Sequence, residues 1–128
     1  EDRRLLTAGA LDLSFGSGGK VISDFLGPSD GSVFVKGALQ PDGKIVVVGS
    51  TAIAGSGSGS DFTLARIDYD GSIDTSFGIG GRIIGAHNPN GETLSTVLTL
   101  MDPACSCEKM LATGRSSNND LLAARFLE

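Results

Sequence analysis

The sequence has no tryptophan, one tyrosine, one histidine and two cysteines among its 128 residues. So small a stock of imidazole and thiol leaves little from which to build a metal enzyme. Cys105 and Cys107 fall short of the four soft ligands of a zinc site. His87 stands alone beside Asn88-Pro89-Asn90-Gly91, a turn sequence, with no nucleophile and supporting carboxylate to complete a triad. Positive charge is also scarce. Ten Lys and Arg against fifteen Asp and Glu give a net charge of −5, which speaks against a protein that binds nucleic acid through its phosphates. No apolar run approaches the ~20 residues of a membrane span. Glu1-Asp2-Arg3-Arg4 lacks the basic-then-apolar pattern of a secretory signal. Four prolines and no three-residue glycine period exclude collagen, and 40% apolar content argues against disorder.

What is abundant is glycine, 19 residues, and it recurs in a pattern. Gly9-Ala10-Leu11-Asp12-Leu13-Ser14-Phe15-Gly16-Ser17-Gly18-Gly19-Lys20-Val21-Ile22 matches Gly71-Ser72-Ile73-Asp74-Thr75-Ser76-Phe77-Gly78-Ile79-Gly80-Gly81-Arg82-Ile83-Ile84 at a constant offset of 62. At the same offset residues 35–41 overlay 97–103. Residues 44–49 then overlay 109–114 at offset 65, and 61–67 overlay 120–126 at offset 59. Length changes fall between the apolar blocks: a three-residue insert around Cys105 and Cys107 in copy two, and a Gly/Ser loop over 54–60 in copy one. Insertions confined to loops are the mark of a structural repeat.

Each copy is predicted to form four strands, over 20–25, 32–39, 44–49 and 62–68, then 82–86, 92–101, 109–114 and 121–127. The β-branched run Ile45-Val46-Val47-Val48 suits burial on both faces, and 62–67 alternates with period two. Asp42-Gly43, within Pro41-Asp42-Gly43, favours a tight hairpin because these residues tolerate positive φ. No stretch has helical periodicity. The expected class is all-β, with two four-stranded antiparallel propeller blades: a lead-in over 1–8, repeat one over 9–68 and repeat two over 69–128. Four strands per sixty residues is the unit of a propeller blade. A sheet this small must be covered by neighbours, so the ring is expected to be completed by other chains or further repeats. Three copies of a two-blade chain, making six blades, are favoured.

The blocks Gly71-Ser72-Ile73-Asp74-Thr75-Ser76-Phe77-Gly78-Ile79-Gly80-Gly81, Leu39-Gln40-Pro41-Asp42-Gly43-Lys44-Ile45-Val46-Val47-Val48-Gly49 and Asp61-Phe62-Thr63-Leu64-Ala65-Arg66 resemble the delta-60 repeat family. The resemblance spans nearly the whole chain; copy two departs from it at the Pro-Asp-Gly-Lys turn. It implies propeller blades in bacterial proteins, often secreted or surface-associated, with no assigned reaction and no cofactor. It is also similar to two-blade lectin chains that trimerise, although no lectin motif is visible.

Several residue groups invite a functional reading. Asp12 and Asp74 could meet a ligand once per blade. Alternatively, with Ser14 and Ser76, they fix turns by accepting backbone hydrogen bonds, while Phe15 and Phe77 wedge between blades and Gly16 and Gly78 take positive φ. A motif needed in every blade favours the structural role. Arg66 and Arg125 are candidates for ligand binding, or for an ion pair between blades or chains. Asp68, Asp70 and Asp74 have spacing a hard cation could use, but copy one places Leu6 and Ala8 at the first two positions. Gly16-Ser17-Gly18-Gly19 precedes a strand and lacks the Gly-Lys-Ser/Thr ending of a phosphate loop. Cys105 and Cys107, one residue apart, leave a free pair and a disulfide both open. The resulting expectation is a non-enzymatic structural or interaction protein, extracellular or surface-associated, whose partner is a further copy of itself or further repeats of the same array, with a glycan as a further candidate. A glycan-binding propeller and a fragment of a larger propeller enzyme are the alternatives.

Overall fold

The computed structural model describes residues 2–3, 8–22, 31–52, 59–85, 91–116, 118 and 120–127. The expected all-β class holds. The strands are β1 (Asp2–Arg3), β2 (Lys20–Val21), β3 (Gly31–Leu39), β4 (Ile45–Ala52), β5 (Asp61–Ile67), β6 (Arg82–Ile84), β7 (Glu92–Asp102), β8 (Cys107–Ser116) and β9 (Leu121–Leu127). They form a two-stranded sheet β1-β2, a four-stranded sheet β3-β4-β5-β6 and a three-stranded sheet β7-β8-β9, all antiparallel within their ladders. Phe25, Ala86, His87 and Asn88-Pro89-Asn90 lie outside the described residues.

The hydrogen-bonded sheets are offset from the sequence repeats 9–68 and 69–128. Strand β6 opens the second copy in sequence, yet it pairs with β5 of the first through Thr63↔Ile84, Leu64↔Ile83 and Ala65↔Arg82. Its counterpart β2 pairs with β1 as Asp2↔Val21 and Arg3↔Lys20, which is the same register moved back by 62. The reason lies in the connecting segment. Arg66 N–H donates to Gly81 O at 3.0 Å and Asp74 N–H to Arg66 O at 3.1 Å, so the chain leaving β5 folds back along β5 before continuing.

Register also revises one part of the repeat alignment. Pairing of β3 with β4 slips between Phe34 and Lys36, and pairing of β7 with β8 slips between Leu94 and Thr96. Gly49 sits opposite Phe34 and Gly114 opposite Leu94. A Cβ on either glycine would lie 1.8 Å from the carbonyl oxygen of Val33 or Thr93, so the bulged strand lies directly against bare backbone. Anchored on these bulges, β3 matches β7 at an offset of 60, and the expected overlay of 35–41 on 97–103 does not hold. A slip of two residues preserves which side chains point inward, so the hydrophobic pattern alone is blind to it. The additional residues of copy two lengthen its hairpin, with Asp102 pairing Cys107 beyond Leu100 and Lys109.

Residues opposite each other across a ladder share a face. One face of the four-stranded sheet therefore carries Ala38, Val46, Val48, Phe62, Leu64, Arg66 and Ile83. It packs on the face of β7-β8-β9 that carries Leu94, Val97, Met110, Ala112, Leu122 and Phe126. Strand β7 lies across β3, β4 and β5, and Thr99 Oγ1 donates to Leu39 O at 3.3 Å between the sheets. Val46, Val48, Leu64, Leu94, Met110 and Ala112 are fully buried at this junction. Each large aliphatic side chain so buried contributes about 1.5–3 kcal/mol.

The two packed faces are not the same face of the repeat. Met110, Ala112, Leu122 and Phe126 are the counterparts of Ile45, Val47, Thr63 and Ile67, which lie on the opposite side of the first sheet. The sheets therefore stack front to back. The opposite face of the first sheet has its own polar ladder: Thr63 Oγ1 donates to Thr51 Oγ1 at 2.7 Å, and the Ser32 and Thr51 hydroxyls are 3.0 Å apart.

Candidate functional site

Both Asp-x-Ser-Phe-Gly segments are built alike. The oxygen Asp12 Oδ1 accepts from Ser14 N–H at 3.0 Å and Ser14 Oγ at 2.6 Å, and Asp74 Oδ1 accepts from Ser76 N–H at 3.1 Å and Ser76 Oγ at 2.5 Å. Phe15 N–H donates to Asp12 O, and Phe77 N–H to Asp74 O, each at 3.1 Å. The carboxylates close turns that throw Phe15 and Phe77 inward, at 1% and 6% exposure. Phe77 joins Val46, Val48 and Leu64 of one sheet with Leu94, Val97, Met110 and Ala112 of the other, so it wedges between the sheets. Gly16 and Gly78 follow at φ 58° and 56°. A Cβ there would stand 2.1 Å from Lys20 O or Arg82 O, which makes glycine obligatory in both copies.

The Asp74 turn, which opens copy two, also carries an ionic cluster built on the buried pair Asp74 and Arg66. Asp74 Oδ2 takes Arg66 Nε at 2.7 Å and Lys44 Nζ at 2.8 Å, and Lys44 Nζ lies 3.5 Å from Asp68 Oδ1. The Arg66 guanidinium carbon sits 4.6 Å over the Phe77 ring, a cation–π contact that shields the pair from water. Burial alone would push the Asp74 carboxyl up. Hydrogen bonds from Lys44, Ser76 and Arg66 outweigh it and hold the carboxyl well below the usual carboxylate range. The hydrogen bond to Asp74 holds the Lys44 ammonium above its ordinary value.

The expected ion pair at Arg66 is thus present, but its location differs from the expectation. It joins β5 to the segment that leads into β6, within one sheet unit, and not one blade or chain to another. The backbone bond from Asp74 to Arg66 O places the two side chains together whatever lies outside. Arg125, the counterpart of Arg66, is exposed on β9. Lys109, the counterpart of Lys44, pairs with Asp102, whose carboxyl is held low by that bond and by Ala104 N–H. No sequence signal singled out Lys44 or Asp102. Their role depends on which carboxylate the hairpin register puts in reach.

The acidic run of Asp68, Asp70 and Asp74 directs its oxygens elsewhere. Asp70 Oδ1 accepts from Ser72 N–H at 2.9 Å and Ser72 Oγ at 2.6 Å, while Asp68 faces Lys44. Among the described residues no group of three or more His, Cys, Asp or Glu side chains could hold a metal.

The two hairpin ends differ. At Pro41-Asp42-Gly43, Gly43 N–H donates to Gln40 O at 3.0 Å, Gln40 N–H to Lys44 O at 2.8 Å, and Asp42 Oδ1 accepts from Lys44 N–H at 3.0 Å. These bonds close the hairpin over Asp42-Gly43, with Gly43 at φ 88°. In copy two Asp102 Oδ1 accepts from Ala104 N–H at 2.8 Å, Ser106 takes φ 51°, and Cys105 and Cys107 form a disulfide across it.

Beside this geometry, residues 40–77 match the family model described as a domain of unknown function (DUF5122) beta-propeller. The matched span runs from the first hairpin turn through β4 and β5 to the Phe77 wedge. It supports a β-propeller repeat family, and the two antiparallel sheets are consistent with propeller blades. No curated protein and no solved structure matches the chain.

Proposed function

We propose that the chain is a structural module of the delta-60 repeat type, without enzymatic activity, whose two repeats complete a propeller by joining head to tail with further copies of itself. One observation carries this reading. Ala38, Val46, Val48, Phe62, Leu64 and Arg66 line the covered face of the first sheet, and their counterparts in the second sheet are Leu98, Leu111, Thr113, Leu121, Ala123 and Arg125. On this outer face Leu98 is 58% and Leu121 83% exposed. A repeat that stacks front to back inside the chain offers the same front again at its end, and a heterologous contact of that kind closes into a ring when the rotation allows. Propellers close with about four to eight blades, so three copies supply six. The Cys105–Cys107 disulfide supports an oxidising environment, secreted or at a cell surface. Light scattering on the purified chain tests the assembly. The expected mass is about 39 kDa, three times 13.0 kDa. A monodisperse species of 13.0 kDa that melts cooperatively at every concentration overturns it.

A further inference from the structure

The four-stranded sheet ends in β6, whereas its counterpart β7-β8-β9 ends in β9. Among the described residues, nothing pairs with the outer edge of β9. The direction of its backbone groups follows from hydrogen bonds in both sheets. Arg66 N–H donates to Gly81 O and Gly85 N–H to Phe62 O, so Phe62, Leu64 and Arg66 turn their backbone polar groups toward β6. Their counterparts Leu121, Ala123 and Arg125 present the same row. The bond from Ser116 N–H to Asp120 O places Leu122, Ala124 and Phe126 in phase with β8, which leaves the other three facing outward. An open row of donors and acceptors is a template for another strand.

The chain also contains the strand that fits this template. Strand β2 is the counterpart of β6, reached through the same Asp-Ser turn, the same buried Phe and the same glycine approach. It is held by two residue pairs with β1, against three between β5 and β6. Ile22, just beyond β2, is 81% exposed. The partner carboxylate is in place as well. Asp74 lies 62 residues after Asp12, and Arg125 lies 59 after Arg66, so docking a β2 segment on β9 brings Asp12 of that copy to Arg125 as Asp74 is brought to Arg66.

We propose that the outer edge of β9 takes β2 of a second copy in antiparallel register, Leu122 opposite Ile22, Ala123 opposite Val21 and Ala124 opposite Lys20, and that β1 is a placeholder that leaves β2 when the second copy docks. This rests on the head-to-tail reading above and adds the strand, the register and the ion pair. The exchange replaces the two-residue contact with the ladder already present at β5 and β6, and it completes a four-stranded sheet from two chains.

Cross-linking tests the register. Leu122 and Ile22 correspond to Thr63 and Ile84, a pair without mutual hydrogen bonds, whose closer Cα spacing suits a disulfide. Chains carrying Leu122→Cys are mixed with chains carrying Ile22→Cys under mild oxidation, and Leu122→Cys is mixed with Lys20→Cys as the shifted control. The expected result is a band of about 26 kDa, twice 13.0 kDa, at least tenfold stronger for the first mixture. Equal cross-linking in the two mixtures, with assembly intact by light scattering, overturns the strand docking and leaves the head-to-tail reading standing. Absence of assembly at all concentrations overturns both. Ala123→Pro gives a second test. Position 123 is exposed and its N–H faces outward, so proline is tolerated in the lone chain and removes a donor from the edge. An unchanged melting curve at low concentration with assembly weakened at least tenfold is expected; assembly of unchanged affinity contradicts the proposal.

Discussion

The two sheets descend from one repeat but do different work. In the first, Leu64 is fully buried and Arg66 is 6% exposed, held by Asp74 and by the Phe77 ring. In the second, the same positions are Ala123 and Arg125, both open to water. Ala123 stands on the outer face where Leu64 fills the inner junction, and Leu98 and Leu121 on that outer face are exposed. A repeat position does not carry a fixed burial. Its burial is set by whether a further sheet lies in front of it.

Substitution at matched positions can break this comparison. The largest effect is expected at the junction. Leu64→Ala removes a fully buried side chain and is expected to cost about 3 kcal/mol, whereas Leu98→Ala on the outer face stays within about 0.5 kcal/mol in dilute solution. Denaturant midpoints of the two variants measure the contrast, and equal losses would mean that the outer face is covered within the chain.

Next comes the ionic cluster. Asp74 has a folded pKa below its unfolded value, so its stabilisation is full above the unfolded value of about 4 and is lost as pH falls below it toward the folded one. Lys44 has the opposite sign: its folded pKa is raised, so its contribution holds below about pH 10.4 and is lost as pH rises through the folded value. Asp74→Asn leaves Arg66 buried without its charge partner and is expected to cost about 3 kcal/mol at pH 7. It also flattens the acid limb of a stability profile taken between pH 2 and pH 6. An acid limb of unchanged slope would remove Asp74 from its cause.

How much of this was legible in the residues follows from which interactions are local. The Asp-x-Ser-Phe-Gly turns were readable because the carboxylate bonds a residue two positions on, and spacing alone specifies that. Strands β3, β4, β5, β7, β8 and β9 were readable from alternation and from Asp42-Gly43. The assignment of β6 to the first sheet was not, because it depends on the backbone bonds of Gly81 and Asp74 to Arg66. The two-residue slip of β7 was hidden for a related reason: it moves no side chain to the other face. The part-buried Lys44–Asp74 contact joins residues thirty positions apart, and no local pattern announces it.

The two hairpin ends provide smaller contrasts. Breaking the disulfide by Cys105→Ser is expected to cost about 1 kcal/mol, since a loop this short constrains the unfolded chain little. Thermal melts with and without reductant give the value, and the wild-type chain in reductant should match the variant in air. Gly43 takes φ 88° where Ser106 takes 51°. Gly43→Ser is therefore expected to destabilise by about 1 kcal/mol, and Ser106→Gly to change stability by about 0.5 kcal/mol or less. Equal and opposite shifts in midpoint would show that the disulfide does not share in holding the second turn.

The most direct measurement of the central claim is amide hydrogen exchange followed residue by residue over a range of protein concentration. The outward amides of Phe62, Leu64 and Arg66 are expected to be protected at every concentration, because β6 covers them. Those of Leu121, Ala123 and Arg125 are expected to exchange freely when dilute and to become protected as concentration rises. Protection of the β9 amides at all dilutions would mean that the second sheet is complete within one chain, and continued free exchange in the assembled state would mean that copies meet elsewhere; either contradicts the account.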